Sequence, residues 1–299
     1  MAKTLMLIVN PRAGRSRSLA PLLNAISLFS EADYLVSLRQ TTAQGDATRF
    51  VRENGAAFDR IVCYGGDGTL NETVTGLMDL PVPPPLGYIP GGSTNDFAHS
   101  LRIPSRAGEA AKIVVQDHPF ACDIGSFNGD YFVYVAAFGA FTEVSYKTTQ
   151  DMKNLMGHLA YVLNGVNSLF SIKPYAMKIE ADDRVLEGDF IYGMVTNSES
   201  VGGFRNITGK DVQLDDGVFE VMLIRNPSTP LEWEPVLSGL LSQKADNKYI
   251  YYFKTSRIKI TAKEEIAWTL DGEDGGKHQD VEILNLRQAV QIMVRKQKK

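Results

Sequence analysis

Two cysteines and four histidines are all the soft or borderline metal ligands of this kind that the 299 residues supply. Cys63 and Cys122 stand far apart, with no Cys-x-x-Cys pair and no histidine at ligand spacing. Neither a zinc site nor a disulfide framework is expected, and a reducing compartment fits. No apolar stretch reaches the roughly 18 to 20 residues that span a bilayer, so any membrane contact is expected to be peripheral. The run at residues 5–9 is far shorter than a signal-peptide core, and no export is expected. An excess of positive charge is missing too. With 31 Lys and Arg against 35 Asp and Glu the net charge is -4, and no basic footprint for nucleic acid exists. At 44% hydrophobic and 22% charged residues the chain is neither disordered nor fibrous, and it has no fixed-period repeat.

What is present has room for two domains. Up to about residue 120, short apolar runs alternate with helix-period segments, the pattern of βαβ units and a mostly parallel sheet. Residues 5–9 (LMLIV), 34–38, 61–64 and 86–89 read as strands, the first apolar on both faces as a strand between helix layers must be. Leu19, Leu22, Leu23, Ile26 and Phe29 recur at helical spacing, and residues 45–54 read as a second helix. Beyond about residue 123 the segments 131–138, 176–181, 190–196, 218–224, 257–261 and 281–286 are short and β-branched or aromatic. Gly, Asp and Asn turns separate them, which predicts a β-sandwich. Residues 152–170 and 231–241 are helical interruptions. The expected fold class is α/β, with a parallel-sheet domain over 1–125 and a β-sandwich domain over 126–299 whose final strand is free to pack back on the first.

Three strand-to-loop junctions in the first half are rich in Gly, Thr, Ser and Asn, and ligands of open parallel sheets bind at such strand ends. Gly65, Gly66 and Gly68 with Thr69 form a candidate phosphate cradle. Glycine lets the backbone approach an oxygen-rich ligand, and the following helix end presents N–H donors. The plainer alternative is a tight turn with Asp67 capping the helix. Neither a Walker A pair nor the spacing GxGxxG occurs, so a nucleotide site of another type is required.

GGDGTLNE at 65–72, PGGSTNDFA at 90–98 and LDGE at 270–273 resemble the soluble bacterial diacylglycerol kinase family of lipid kinases, related to sphingosine and ceramide kinases. GGDGT alone is shared with NAD kinases and phosphofructokinases; the order NPxxG, TxxxGDA, GGDGTLNE, a second loop ending in ND, LDDG and DGE is far more specific. The resemblance covers the whole chain. It implies a Rossmann-like first domain of the phosphofructokinase and NAD kinase type, a β-sandwich second domain, ATP and Mg²⁺ as cofactors, and phosphorylation of a lipid hydroxyl, first of all that of diacylglycerol.

By the same resemblance the ATP site takes in Asn10, Pro11, Arg12, Ala13 and Gly14, then Thr41. It continues through Gly66, Asp67, Gly68, Thr69, Leu70, Asn71 and Glu72, and Ser93. Ser93 departs from the family's usual threonine but keeps the hydroxyl. His99 stands where some relatives carry arginine. A structural Mg²⁺ is implied at Asp216 with main-chain carbonyls near Gln213 and Val218, Asp123 being an acidic member of the same network. A hairpin turn is the plainer reading of Asp215-Asp216-Gly217. Phosphoryl transfer to a hydroxyl needs a carboxylate near the acceptor oxygen, and Asp271 and Glu273 are the catalytic candidates. One residue apart, they would point the same way on an extended backbone, and an exposed Asp-Gly-Glu-Asp-Gly turn is the plainer reading. The sequence leaves open which is the base.

The acceptor lipid also stays open. Leu155, Leu159, Val162, Val166 and Leu169 make an apolar helix face that suits core packing or a lipid groove. The expected partner is a lipid met at the membrane surface by a cytoplasmic protein, with no nucleic acid and with a homodimer among the options. Two other readings compete: an NAD kinase, against which Asn71-Glu72 directly after GGDGTL and the DGE loop both speak, and a silent nucleotide- or lipid-binding regulator, against which the intact Asp67, Asp271 and Glu273 speak.

Overall fold

The computed structural model describes residues 2–14, 19–139, 172–202, 204–205, 212–242 and 248–296. It divides into two compact units, one formed by Met1–Ile124 with Arg287–Lys299 and the other by Gly125–Leu286. The apolar helix expected over 152–170 lies outside the described residues.

The first unit carries β1 (Lys3–Val9), α1 (Ala20–Glu31), β2 (Tyr34–Gln40), α2 (Asp46–Asn54), β3 (Arg60–Gly65), α3 (Asp67–Met78), β4 (Leu86–Pro90), α4 (Asp96–Ser100) and α5 (Ala107–Val115). Its strands are parallel in the order β4-β3-β1-β2. Leu5, Met6, Leu7 and Ile8 of β1 are wholly buried, as a strand covered on both faces must be. Right-handed crossovers put α1 on one face and α2 and α3 on the other. Accordingly α1 packs against α5 and α2 against α3. The helix α5 carries Ala107, Ala110, Ala111, Ile113 and Val114 on its buried side, a pattern of small residues that lets it lie close to β4.

The chain passes into the second unit along β5 (Pro119–Phe127). There follow β6 (Asp130–Phe132), β7 (Val135–Gly139), β8 (Tyr175–Ala181), β9 (Arg184–Thr196), β10 (Ser200–Val201), β11 (Phe204–Arg205), β12 (Phe219–Arg225), α6 (Pro230–Ser242), β13 (Ile250–Thr255), β14 (Arg257–Leu270) and β15 (Glu273–Met293). Several strands are longer than their sequence signals because they bend and serve two sets of neighbours. The first half of β9 pairs with β8 and its second half with β7 and β12. Likewise β14 pairs with β8 near its start and with β7 at its end, with register shifts between Thr261 and Ile266. Two antiparallel layers result, sharing their long strands, with Phe127, Phe132, Phe138, Phe190, Phe219 and Trp268 between them. Phe127 and Phe138 stand 5.0 and 4.9 Å from the Trp268 ring in tilted contact. From Arg287 the last strand belongs to the first unit again, where Ile292 lies parallel to Leu86 of β4.

Candidate active site

In the first unit the ends of β1, β3 and β4 meet. The Asn10 main-chain N–H donates to the Tyr64 carbonyl at 2.9 Å, and the Asn10 side-chain oxygen accepts the Arg12 N–H at 2.9 Å, which folds residues 10–14 into an Asx turn. Its amide nitrogen donates to Thr69 Oγ1 at 2.9 Å. Gly14 has φ +73°, and a Cβ there would stand 2.3 Å from the Gly91 carbonyl oxygen. Gly91 N–H donates to the Gly65 carbonyl at 2.7 Å, and a Cβ on Gly92 would stand 2.7 Å from the Gly66 Cα. Only glycine permits these contacts. Asn95, at φ +53°, closes the third loop by accepting the Gly92 N–H at 2.9 Å and donating to its carbonyl at 2.8 Å.

The helix α3 starts directly after β3, with Gly66, which carries no side chain to cap it, extended at its N-cap position. That end is built for anionic oxygens. A cavity of about 830 Å³ is lined by the loops after β1 and β4, through Asn10, Pro11, Ala13, Gly14, Gly91 and Gly92, and by no residue of α3. Asp67 Oδ2 accepts the Asp96 N–H at 3.3 Å, tying the starts of α3 and α4. Behind the cradle the Cys63 thiol is pushed up to about 12 by burial, against a hydrogen bond from Thr73, and is inert.

Other expected site residues are placed differently. Thr41 is buried and ties the end of β2 to β1 through Val9, by its N–H at 2.9 Å and its hydroxyl at 3.4 Å. The Glu72 carboxylate accepts the N–H groups of Gly45 at 2.8 Å and Ala47 at 3.2 Å, so it closes the start of α2. Leu70 is 1% exposed and packs in the core, which leaves only its main chain toward a ligand. Asn71 is half-buried, and Pro11, Arg12, Ser93 and His99 are exposed. Asp123 is wholly buried and accepts the Gln288 N–H at 2.7 Å.

In the second unit the DGE turn departs from the extended arrangement expected of it. Asp271 has φ +51° and Gly272 φ +85°, so the chain reverses there and the two carboxylates part company. Asp271 is 5% exposed; its oxygens accept the N–H groups of Val133 at 2.7 Å, Tyr134 at 2.9 Å and Val135 at 3.0 Å. Glu273 is exposed. The LDDG turn presents Asp216, whose Oδ1 accepts the Val218 N–H at 3.2 Å and whose Oδ2 lies 3.4 Å from the Lys254 ammonium. Gln213 is exposed and Val218 half-buried.

The sequence pattern gave no sign of the main-chain donors of 133–135 or of the polar run Thr196, Asn197, Ser198 and Ser200. A polar run after a strand reads as an exposed loop; all four are 2% exposed or less. Thr196 Oγ1 donates to the Tyr134 carbonyl at 2.6 Å, and the Asn197 N–H donates to the same oxygen at 2.9 Å.

The profile described as "Diacylglycerol kinase catalytic domain" matches residues 4–127, and that described as "YegS C-terminal NAD kinase beta sandwich-like domain" matches residues 135–293. The diacylglycerol kinase of Bacillus subtilis (strain 168) is 36% identical over 298 residues, 99% of this chain and 98% of that one. The chain belongs to the diacylglycerol kinase family. Another member, the diacylglycerol kinase of Staphylococcus aureus (strain MRSA252), is 33% identical over 296 residues, covering 98% of this chain and 92% of its own. A crystal structure of a diacylglycerol kinase from Bacillus anthracis str. Sterne superposes with TM-score 0.77 at 27% identity, over 98% of this chain and 97% of that one. Membership of the diacylglycerol kinase family makes the chain a lipid kinase, and ATP the phosphoryl donor.

Proposed function

We propose that the chain transfers the γ-phosphoryl group of ATP to the free hydroxyl of diacylglycerol, giving phosphatidic acid and ADP. The observation that carries this reading is the meeting of the loops after β1, β3 and β4, with Gly66 leading into α3 and a cavity of about 830 Å³ lined by the loops after β1 and β4. The family supports the acceptor, since the relatives from Bacillus subtilis and Staphylococcus aureus are diacylglycerol kinases.

In this reading the main-chain N–H groups around Gly66, Gly68 and Thr69 hold phosphate oxygens, and residues 10–14 cover the nucleotide. Glu273 takes the proton of the lipid hydroxyl. The freed oxygen bonds to the γ-phosphorus, and the bond from that phosphorus to the bridging oxygen breaks as ADP leaves. Asp271 holds the turn through its three main-chain donors. Exposure favours Glu273 as the base, because a group that must meet a proton needs an open oxygen.

Two sites for Mg²⁺ belong to the proposal. Asp67 suits the ion that travels with ATP. At the LDDG turn Asp216 offers one carboxylate, with main-chain carbonyls near Gln213 and Val218, an oxygen set of the kind Mg²⁺ takes, although the Lys254 ammonium at 3.4 Å competes with a cation for Asp216 Oδ2. No group of three or more His, Cys, Asp and Glu among the described residues could hold a metal, so at either site a single carboxylate would need oxygens from the main chain, ATP or water beside it. An ion held by Asp67 would supply charge neutralisation for the triphosphate, and one held by Asp216 would brace the fold.

The lipid is met at a bilayer surface; no helix among the described residues is long and apolar enough to cross one. Both cysteines are buried and neither is in a disulfide, which supports a reducing cytoplasm. Incubation with radiolabelled ATP tests the function. Label should enter phosphatidic acid when mixed micelles contain diacylglycerol and should not enter NAD. Label on another lipid class, or on NAD, would replace the proposed acceptor.

A further inference from the structure

One transverse row of backbone partners crosses four strands of the second unit and ends at the turn after β14. Lys254 on β13 is paired with Glu220 on β12, Glu220 with Thr196 on β9, and Thr196 with Val135 on β7. Val135 then meets Asp271 directly after β14, giving its N–H to the carboxylate at 3.0 Å and its carbonyl to the Asp271 N–H at 2.8 Å. Residues opposite one another in antiparallel pairs point to the same face, so these side chains form one line.

The line is polar where a sheet interior is normally apolar. Glu220 is 3% exposed and Thr196 wholly buried. The Lys254 ammonium stands 2.9 Å from Glu220 Oε1 and 3.4 Å from Asp216 Oδ2, so it bridges the row to the LDDG turn. Burial of a carboxylate beside a single half-exposed lysine is costly unless that lysine is held in place. The other oxygen, Glu220 Oε2, is buried with no hydrogen-bond donor among the described residues. At the far end Thr196 Oγ1 donates to the carbonyl of Tyr134, whose own N–H is one of the three that grip Asp271.

We infer that Lys254 and Thr196 are positioning residues for the phosphoryl transfer, the two ends of a polar row through which the LDDG turn sets the attitude of the DGE turn. This rests on the catalytic reading of that turn given above. Neither residue touches a substrate in this account. Lys254 fixes Glu220 and Asp216, Thr196 fixes the 133–135 main chain, and that main chain fixes Asp271 and hence Glu273.

The test uses the full chain on diacylglycerol micelles, with wild type first shown to form phosphatidic acid. A wild type that phosphorylates no lipid would fail the functional reading, not this one. Lys254→Met should lower kcat about tenfold at unchanged KM for ATP, the signature of a catalytic group slightly misplaced, and Lys254→Arg should restore most of it. Thr196→Val removes only the hydroxyl and should give a similar loss in kcat alone; it serves as the test by itself if Lys254→Met does not fold. In the double variant the losses should fall well short of multiplying, because both act on one turn. Wild-type kcat in a folded Thr196→Val protein, a parallel rise in KM for ATP, or losses that multiply would each overturn the inference.

Discussion

Asn10 reaches across 59 residues of sequence to give its side-chain N–H to Thr69 Oγ1, so the loop after the first strand is pinned to the first turn of α3. The same loop ends at Gly14, against the Gly91 carbonyl. A nucleotide held by one of these loops is therefore held by all three, and damage to one contact should spread to the others.

Gly14→Ala tests that coupling. A non-glycine residue at φ +73° carries strain of about 1–2 kcal/mol, roughly tenfold in an equilibrium constant. Its Cβ would also push the Gly91 backbone away. KM for ATP should rise by about tenfold or more while kcat at saturating ATP changes little. Unchanged KM would remove residues 10–14 from the nucleotide site.

Glu72 should behave otherwise. Its carboxylate serves the first turn of α2, a capping role whose loss costs about 0.5–2 kcal/mol. Glu72→Ala should lower the melting temperature by a few degrees with KM for ATP nearly unchanged. A large rise in that KM with normal melting would return Glu72 to the nucleotide.

These cases mark what the sequence made legible. Strands β1, β3 and β4 are apolar on both faces and end in glycine-rich turns, so local composition carries both their place and their chemistry. The role of Glu72 was hidden because its partners lie 25 and 27 residues away. The Asp271-Gly272 pair is itself a local hairpin signal, and the turn was legible as the plainer reading; what no local pattern shows is that three main-chain donors of 133–135 hold its carboxylate. The row from Lys254 to Val135 depends on register across β13, β12, β9 and β7, which no single segment encodes.

A pH effect should come from the first unit. Arg60 is buried, donates to Asp117 at 2.6 Å, and thereby holds that carboxyl below its ordinary value; burial opposes this weakly. A depressed folded value means the stabilisation is present above the unfolded carboxylate range and is lost as pH falls through the folded value. Asp117→Asn should therefore lower the melting temperature at neutral pH, and the gap to wild type should close in acid below both values. A gap independent of pH would show that the change acts through packing.

Asp216→Ala addresses the metal proposed at the LDDG turn. An ion that binds only the folded chain stabilises it by mass action, by about 2.7 kcal/mol at a hundredfold excess over Kd. Wild type should lose melting temperature on chelation and regain it with Mg²⁺, and the variant should start lower and respond to neither. A wild type indifferent to chelator leaves a plain turn whose carboxylate serves the Val218 N–H and Lys254.

The two carboxylates of the DGE turn should separate cleanly. Asp271→Asn puts an NH₂ group where three main-chain N–H groups converge, so at least one donor loses its acceptor in a buried place, at about 1–3 kcal/mol. That variant should melt lower and turn over more slowly, since the turn itself loosens. Glu273→Gln keeps size and exposure and removes only the proton acceptor. Its kcat should fall by roughly 10² to 10⁴ with melting temperature and KM for ATP unchanged. If Glu273→Gln keeps wild-type turnover while Asp271→Asn remains stable but inactive, the base is Asp271, and its three N–H donors then tune a catalytic group.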